Sequence, residues 1–88
     1  MDADYYIIAV RKDEYERITY LKTLNGLTKS RADVVNDIDS CGKSVMTAFL
    51  KPDGKYYKGA EVHVYKHKWL RTDQNQIEAD NLDNLPAF

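Results

Sequence analysis

The sequence has few of the residues that mark a secreted, membrane-spanning or metal-binding protein. Its 88 residues include one cysteine, two prolines and four glycines. Because Cys41 is the single cysteine, an internal disulfide is excluded and a cytoplasmic protein is the default expectation. No apolar run approaches the roughly 20 residues that span a bilayer. The acidic N-terminus lacks the basic and apolar regions of a signal peptide, so no membrane partner is expected.

The charge balance also excludes some classes of binding partner. The formal net charge is −1, with 31% charged and 43% hydrophobic residues. This composition is typical of one small folded domain, which we place over residues 1–88. A chain without an overall positive potential is a poor match for extended duplex nucleic acid. We therefore expect neither a membrane nor a nucleic acid duplex as partner.

Metal and cofactor sites are not indicated. The soft metal ligands are His63, His67 and Cys41, whereas a closed zinc site usually has four protein ligands. The four glycines are scattered, so there is no glycine-rich phosphate loop. We predict no metal, no cofactor and no catalytic residue.

Apolar patterning predicts several short strands around one helix. Residues 4–11 are apolar on both faces, and residues 18–23 follow them after a charged turn. Residues 45–50 and 60–66 form two later strands, which residues 69–72 extend or supplement. The order β-β-α-β-β predicts a small α+β fold, an antiparallel sheet of four or five strands with the helix on one face.

The helix is predicted over residues 30–41. Ser30 is a good N-cap, with Asp33 three residues later, and Gly42 is placed to end the helix. An apolar stripe at helical spacing is formed by Val34, Val35, Ile38 and Cys41. Cys41 is therefore interpreted as a buried structural thiol and not as a nucleophile.

The C-terminal residues 73–88 contain no lysine or arginine, whereas residues 51–71 carry six basic and two acidic residues. This contrast predicts that residues 1–72 form the sheet and helix, and that the tail folds back over the basic hairpin. Asp80 and Asp83 are then expected to serve turns in the tail. The expected anchors are Leu82, Leu85 and Phe88.

Several segments together resemble a known family. They are residues 8–12, 17–19, 70–72 and, above all, the Asn- and Leu-rich residues 80–88. The sequence is similar to domain-of-unknown-function family 3892, small proteins of bacteria and their phages. It departs from the usual pattern by a longer loop over residues 51–60. The resemblance implies a stand-alone small domain without a catalytic activity.

Cations and aromatic side chains alternate between residues 55 and 71, a pattern that can hold phosphates and stack bases. Lysines also protect sheet edges from unwanted pairing, and this alternative requires no ligand. The candidate ligand-binding residues are Tyr57, Lys66, Trp69, Arg71, Thr72, Asn81 and Asn84.

Three functions compete on this pattern. The first is a non-enzymatic binding module for a small phosphorylated ligand, with sequestration of a nucleotide-like signal as its sharpest version. The second is a homo-oligomeric or protein-partner-binding regulatory protein, since exposed Tyr and Trp also suit protein interfaces. The third is a small hydrolase using Asp80 or His63, for which the sequence shows no nucleophile–base pair.

Overall fold

The computed structural model describes residues 3–72 and 82–88. Within them lie six strands and one α-helix, and the helix is too short to span a bilayer. The elements are β1 (Tyr5–Lys12), β2 (Ile18–Thr23), β3 (Thr28–Ser30), α1 (Arg31–Asp39), β4 (Val45–Leu50), β5 (Tyr56–Tyr65) and β6 (Trp69–Thr72).

The sheet is mixed, with strand order β3-β2-β1-β4-β5-β6. The α+β class with one helix is confirmed, but the expected antiparallel sheet of four or five strands is wrong. β3 has only three residues and pairs with β2. It was not predicted, because a strand this short leaves no periodic pattern in the sequence. β1 and β4 pair in parallel, because α1 returns the chain to the free edge of β1.

β5 begins earlier than its alternation indicates. Tyr56 and Tyr57 were expected in a long loop, yet they pair with Leu50 and Phe49 of β4. Tyrosine favours strands, and a neighbouring strand is available for it here. The connection between β4 and β5 therefore shortens to the turn over residues 51–55.

The start of α1 is as predicted, whereas its end is not. The Ser30 hydroxyl accepts a hydrogen bond from the Asp33 amide at 3.1 Å, which confirms the N-cap. The helix stops at Asp39, and Cys41 is exposed, so its interpretation as a buried thiol is wrong. Gly42 follows with a φ of +65°, a conformation in which glycine meets no steric penalty.

A buried carboxylate fixes α1 to the sheet. The Asp37 Oδ2 atom accepts hydrogen bonds from the Tyr5 hydroxyl at 2.7 Å and from the Lys29 ammonium at 2.9 Å. Burial opposes ionisation of Asp37, but the bonds from Lys29 and Tyr5 and the charges of Lys29 and Lys43 outweigh it, so its pKa lies below the usual value. Burial, followed by the bond to Asp37, raises the pKa of Tyr5.

The C-terminal residues complete the core. Leu82, at the start of a 3-10 turn over Leu82–Asn84, is 1% exposed and packs with Val34 and Val62. Its amide donates to the Thr72 hydroxyl of β6 at 3.0 Å. Leu85 is also buried, and Phe88 is half-buried.

The end of the tail also reaches β1, a contact that was not predicted. The Val10 amide donates to the Pro86 carbonyl at 2.9 Å, and Ala87 forms a parallel bridge with Val10. The Arg11 Nε donates to the Phe88 carbonyl at 3.1 Å, and its guanidinium lies 4.7 Å from the Phe88 ring centre. Asp80 and Asn81 lie outside the described residues.

We predict that Leu82→Ala destabilises the protein by about 2–5 kcal/mol, because it removes a fully buried side chain and leaves a cavity. Leu50→Ala is the matched control, since Leu50 is 58% exposed and its loss should change stability by about 0.5 kcal/mol or less. Urea unfolding of both variants measures the difference. Equal midpoints for the two would contradict the docking of the tail.

We predict that the contribution of Asp37 to stability disappears in acid. A lowered pKa in the folded protein means that the stabilisation is present above the unfolded pKa of about 3.9 and is lost as pH falls through the lower folded pKa. At pH 7, Asp37→Asn should cost roughly 1–3 kcal/mol, because Lys29 loses its buried partner.

Urea unfolding of the parent and of Asp37→Asn from pH 7 to pH 2 provides the measurement. The difference between the two unfolding free energies should be constant at neutral pH and shrink below about pH 4. A difference that stays constant down to pH 2 would show that Asp37 does not contribute as an ionised group.

Candidate functional site

Two aromatic residues are paired at the tip of the β5–β6 hairpin. Tyr65 and Trp69 are directly opposite each other across the two strands. The turn between them places Lys66 and His67 at φ values of +53° and +59°. Two successive left-handed residues form a turn that usually takes Asn-Gly, so this turn presents a lysine and a histidine at a conformational cost.

Cationic groups from three separate segments lie close to the Trp69 ring. The Arg31 guanidinium of α1 lies 4.4 Å from the Trp69 ring centre, the Lys68 ammonium 5.0 Å and the Arg17 guanidinium 6.0 Å. Arg31 also donates to the Ile18 carbonyl at 3.1 Å, which fixes its position. Cation–π contacts of this kind orient the charged groups but leave N–H donors at their edges for a ligand.

Tyr65 holds two further cations next to these. The Arg71 guanidinium lies 4.7 Å from the Tyr65 ring centre and the Lys66 ammonium 5.3 Å. Both side chains belong to exposed residues. We define the cationic patch as these two rings with their five cations: Arg17, Arg31, Tyr65, Lys66, Lys68, Trp69 and Arg71.

The positive charge of the cationic patch is only partly neutralised. Arg17 forms an ion pair with Asp13 at 3.1 Å. The hydrogen bond from the Arg17 backbone amide, followed by that from the Tyr15 amide and by this ion pair, lowers the pKa of Asp13. Among the side chains that the structure describes, which do not include that of Asp83, the other four cations have no carboxylate within 4.0 Å. Positive charges held close together can attract an anion.

The structure separates Tyr57 from the other predicted site residues. Tyr57 lies eight residues before Tyr65 on β5, about 26 Å away at 3.3 Å per residue. Its hydroxyl donates to Asp53 at 2.5 Å, which raises the pKa of Tyr57 and lowers that of Asp53. Tyr57 therefore lies at the start of β5, beside the β4–β5 turn, and not in the cationic patch.

Some of the remaining predicted residues lie in the cationic patch, and others have a structural role. Lys66, Trp69 and Arg71 come together in the cationic patch. The Thr72 hydroxyl instead accepts the bond from the Leu82 amide, so Thr72 anchors the tail. Asn84 is exposed beside that anchor, while Asn81 lies outside the described residues.

Two arginines of the cationic patch were missed by the sequence reading. Arg17 ends the charged turn before β2, and Arg31 opens α1 directly after its N-cap. Both arginines are far from Trp69 along the chain, so no local sequence pattern indicates that they contact it. The one available sign is that arginine occupies the first turn of a helix, where a positive charge meets the positive end of the helix dipole.

A groove of about 420 Å³ runs beside the cationic patch, between α1 and the β5–β6 turn. Arg31 and Lys68 line it and also contact Trp69, so the groove and the patch are continuous. At the other end, the His67 Nδ1 lies 3.6 Å from the Asp39 Oδ2. Val35 and Asn36 line the middle.

The residues considered for catalysis and metal binding do not group together in the part of the chain that the structure describes. His63 lies 3.7 Å from Glu61, an exposed pair on β5. No three residues of the His, Cys, Asp and Glu types group there as metal ligands. Asp80, the other residue considered for hydrolysis, is outside the described residues.

Comparison with known proteins places the chain in a family. No curated protein and no solved structure matches the sequence. A family model does match, over residues 6–86, and its description is protein of unknown function, DUF3892. This range covers nearly the whole chain, including the helix and all six strands except Tyr5, the first residue of β1. The resemblance inferred from the sequence is therefore confirmed: the chain belongs to the DUF3892 family of proteins of unknown function.

Proposed function

We propose that this protein is a non-enzymatic binding module for a small phosphorylated ligand of the nucleotide type, held at the cationic patch. The observation that carries the proposal is a set of five cations that lie within 6.0 Å of the ring centre of Tyr65 or Trp69, two cross-strand partners, with four of the cations lacking a carboxylate partner among the described side chains. Binding without turnover in the cytoplasm would let a small bacterial or phage protein sequester a nucleotide signal.

The arrangement favours phosphate over an uncharged ligand. Arginine offers paired N–H donors that match two phosphate oxygens, and lysine adds a mobile point charge. Arg31 and Lys68 share one ring, while Lys66 and Arg71 share the other. Because Tyr65 and Trp69 are cross-strand neighbours, an anion between the rings would be within reach of both pairs.

Association with another protein chain is a second candidate function, favoured by a different surface. Leu24 and Leu27, in the turn between β2 and β3, are 43% and 55% exposed. Tyr20 on β2 is 44% exposed, and β3 is an edge strand. Apolar side chains beside an unpaired strand edge suit a protein interface. Light scattering with Leu27→Lys would test this candidate: an oligomer that dissociates in the variant supports it, and a monomeric parent removes self-association.

Charge reversal in the cationic patch should weaken phosphate binding. Lys68→Glu with Arg71→Glu should weaken adenosine 5′-diphosphate and pyrophosphate roughly tenfold or more, since each charged hydrogen bond contributes about 1.5–3 kcal/mol. Trp69 is the single tryptophan, so its fluorescence reports binding directly, and calorimetry provides the affinity.

The matched control for this experiment is Lys55→Glu in the β4–β5 turn, which reverses a charge away from the cationic patch. It should leave both affinities unchanged, while added salt weakens the parent by screening its charges. Equal losses in the control and the patch variant, or an affinity indifferent to salt, would rule out the cationic patch as the site.

We predict that the residues of the turn at the hairpin tip lower the stability of the protein and contribute to ligand binding. Lys66→Asn with His67→Gly creates the preferred Asn-Gly turn, which removes left-handed strain that costs about 1–2 kcal/mol per residue. The variant should melt at a higher temperature than the parent and bind pyrophosphate more weakly, because one cation is lost. Lys66→Asn alone separates the effect of charge from that of the backbone. A double variant that melts below the parent would show that the turn is not strained.

A further inference from the structure

The rings of the cationic patch are poor platforms for a nucleobase. The cations of Arg31 and Lys68 lie within 5.0 Å of the Trp69 ring centre, and those of Arg71 and Lys66 lie within 5.3 Å of the Tyr65 ring centre. A base that stacked on either ring would have to displace these groups, which are the phosphate ligands of the proposed function. A base attached to a phosphate bound here therefore needs another surface.

The groove along α1 provides that surface. It opens from the cationic patch through Arg31 and Lys68, and its volume is about 420 Å³. From Arg31 to Asp39 the helix advances eight residues, about 12 Å at 1.5 Å per residue. Val35 gives its middle an apolar surface, and the Asn36 side chain supplies hydrogen-bonding groups. An apolar groove with a few polar groups at defined positions is typical of a small-molecule site.

The two ends of the groove have opposite charge. The end at Arg31 and Lys68 is cationic, and the far end carries Asp39. A carboxylate in the last turn of a helix faces the negative end of the helix dipole, so Asp39 does not stabilise α1. Within the described residues, the ionisable group found within 4.0 Å of it is the imidazole of the exposed His67, at 3.6 Å. Asp39 is 41% exposed at its side chain and can accept a hydrogen bond from a ligand.

From this polarity we infer that the ligand is a nucleotide whose base lies in the α1 groove and whose exocyclic amino group donates to Asp39. The inference rests on the proposed function, since the phosphates bind at the cationic patch. Carboxylates recognise amino groups of bases because they accept hydrogen bonds and cannot donate them. The same carboxylate repels a base that presents a carbonyl oxygen at that position. The site therefore selects a base that carries an exocyclic amino group, such as adenine, over hypoxanthine, which has none.

Three probes separate this inference from the proposed function. Adenosine 5′-diphosphate carries the amino group, inosine 5′-diphosphate carries a carbonyl oxygen in its place, and pyrophosphate carries no base. We expect adenosine 5′-diphosphate to bind about tenfold or more tightly than either of the others, the size of one charged hydrogen bond. Calorimetric titration of the intact protein gives the three affinities.

The decisive variant is Asp39→Ala. It should bring adenosine and inosine 5′-diphosphate to equal affinity while leaving pyrophosphate binding intact. A thermal melt at least as high as that of the parent is expected, because an unfavourable charge at the helix end is removed. Glu14→Ala removes a negative charge from the exposed β1–β2 turn and should keep the preference for adenosine.

Each result bears on one claim. Equal binding of all three probes to the parent overturns the inference and leaves the proposed function standing. A preference for adenosine that survives Asp39→Ala overturns the role of Asp39. If neither pyrophosphate nor a nucleotide binds the parent, the proposed function fails, and the inference fails with it.

Discussion

The arrangement of this small protein depends on how the central strand β1 satisfies its backbone. Its parallel pairing with β4 covers only Tyr5 to Ile7. The Val10 amide, in a residue that is 2% exposed, would then lack a partner, and a buried unpaired amide costs about 1–3 kcal/mol. The Pro86 carbonyl provides that partner at 2.9 Å. A short strand pairing therefore explains why the C-terminal residues return to the sheet.

The returning tail also fixes the edge on which the candidate site depends. On its way to β1 it places Leu82 in the core and donates the Leu82 amide to Thr72 of β6. β6 is an edge strand of four residues that pairs with β5 alone among the strands. Anchored by the tail, it keeps Trp69 close to Arg31 of α1. The core, the tail and the cationic patch are thus parts of one connected arrangement.

Local features of the fold could be predicted from the sequence, and long-range features could not. The Ser30 cap, the glycine after α1 and the apolar residues of the tail depend on neighbouring residues. The direction of β4 beside β1 depends on where a helix returns the chain, which no local pattern encodes. Cys41 was misplaced because its helical spacing fits the stripe, although the helix ends two residues before it.

The same division holds for the candidate site. Lys66, Trp69 and Arg71 are close in sequence and could be predicted from alternating cations and rings. Arg17 and Arg31 reach Trp69 only because the folded sheet and helix bring them there. Tyr57 fits the same alternation, but an extended strand carries it to the opposite end of the hairpin. Two of the five cations of the cationic patch are therefore arginines that lie outside the alternating pattern of residues 55–71.

The central claim is that cations gathered from three segments around Trp69 form one anion site. The most direct measurement is a nuclear magnetic resonance titration of the labelled protein with pyrophosphate, following the Trp69 indole N–H, the Arg17 and Arg31 side-chain N–H groups and the backbone amides. The account predicts saturable shifts of all three side-chain signals with a single affinity, while the amides of residues 51–55 stay unmoved. Shifts confined to residues 51–55, or separate affinities for Arg17, Arg31 and Trp69, would contradict it.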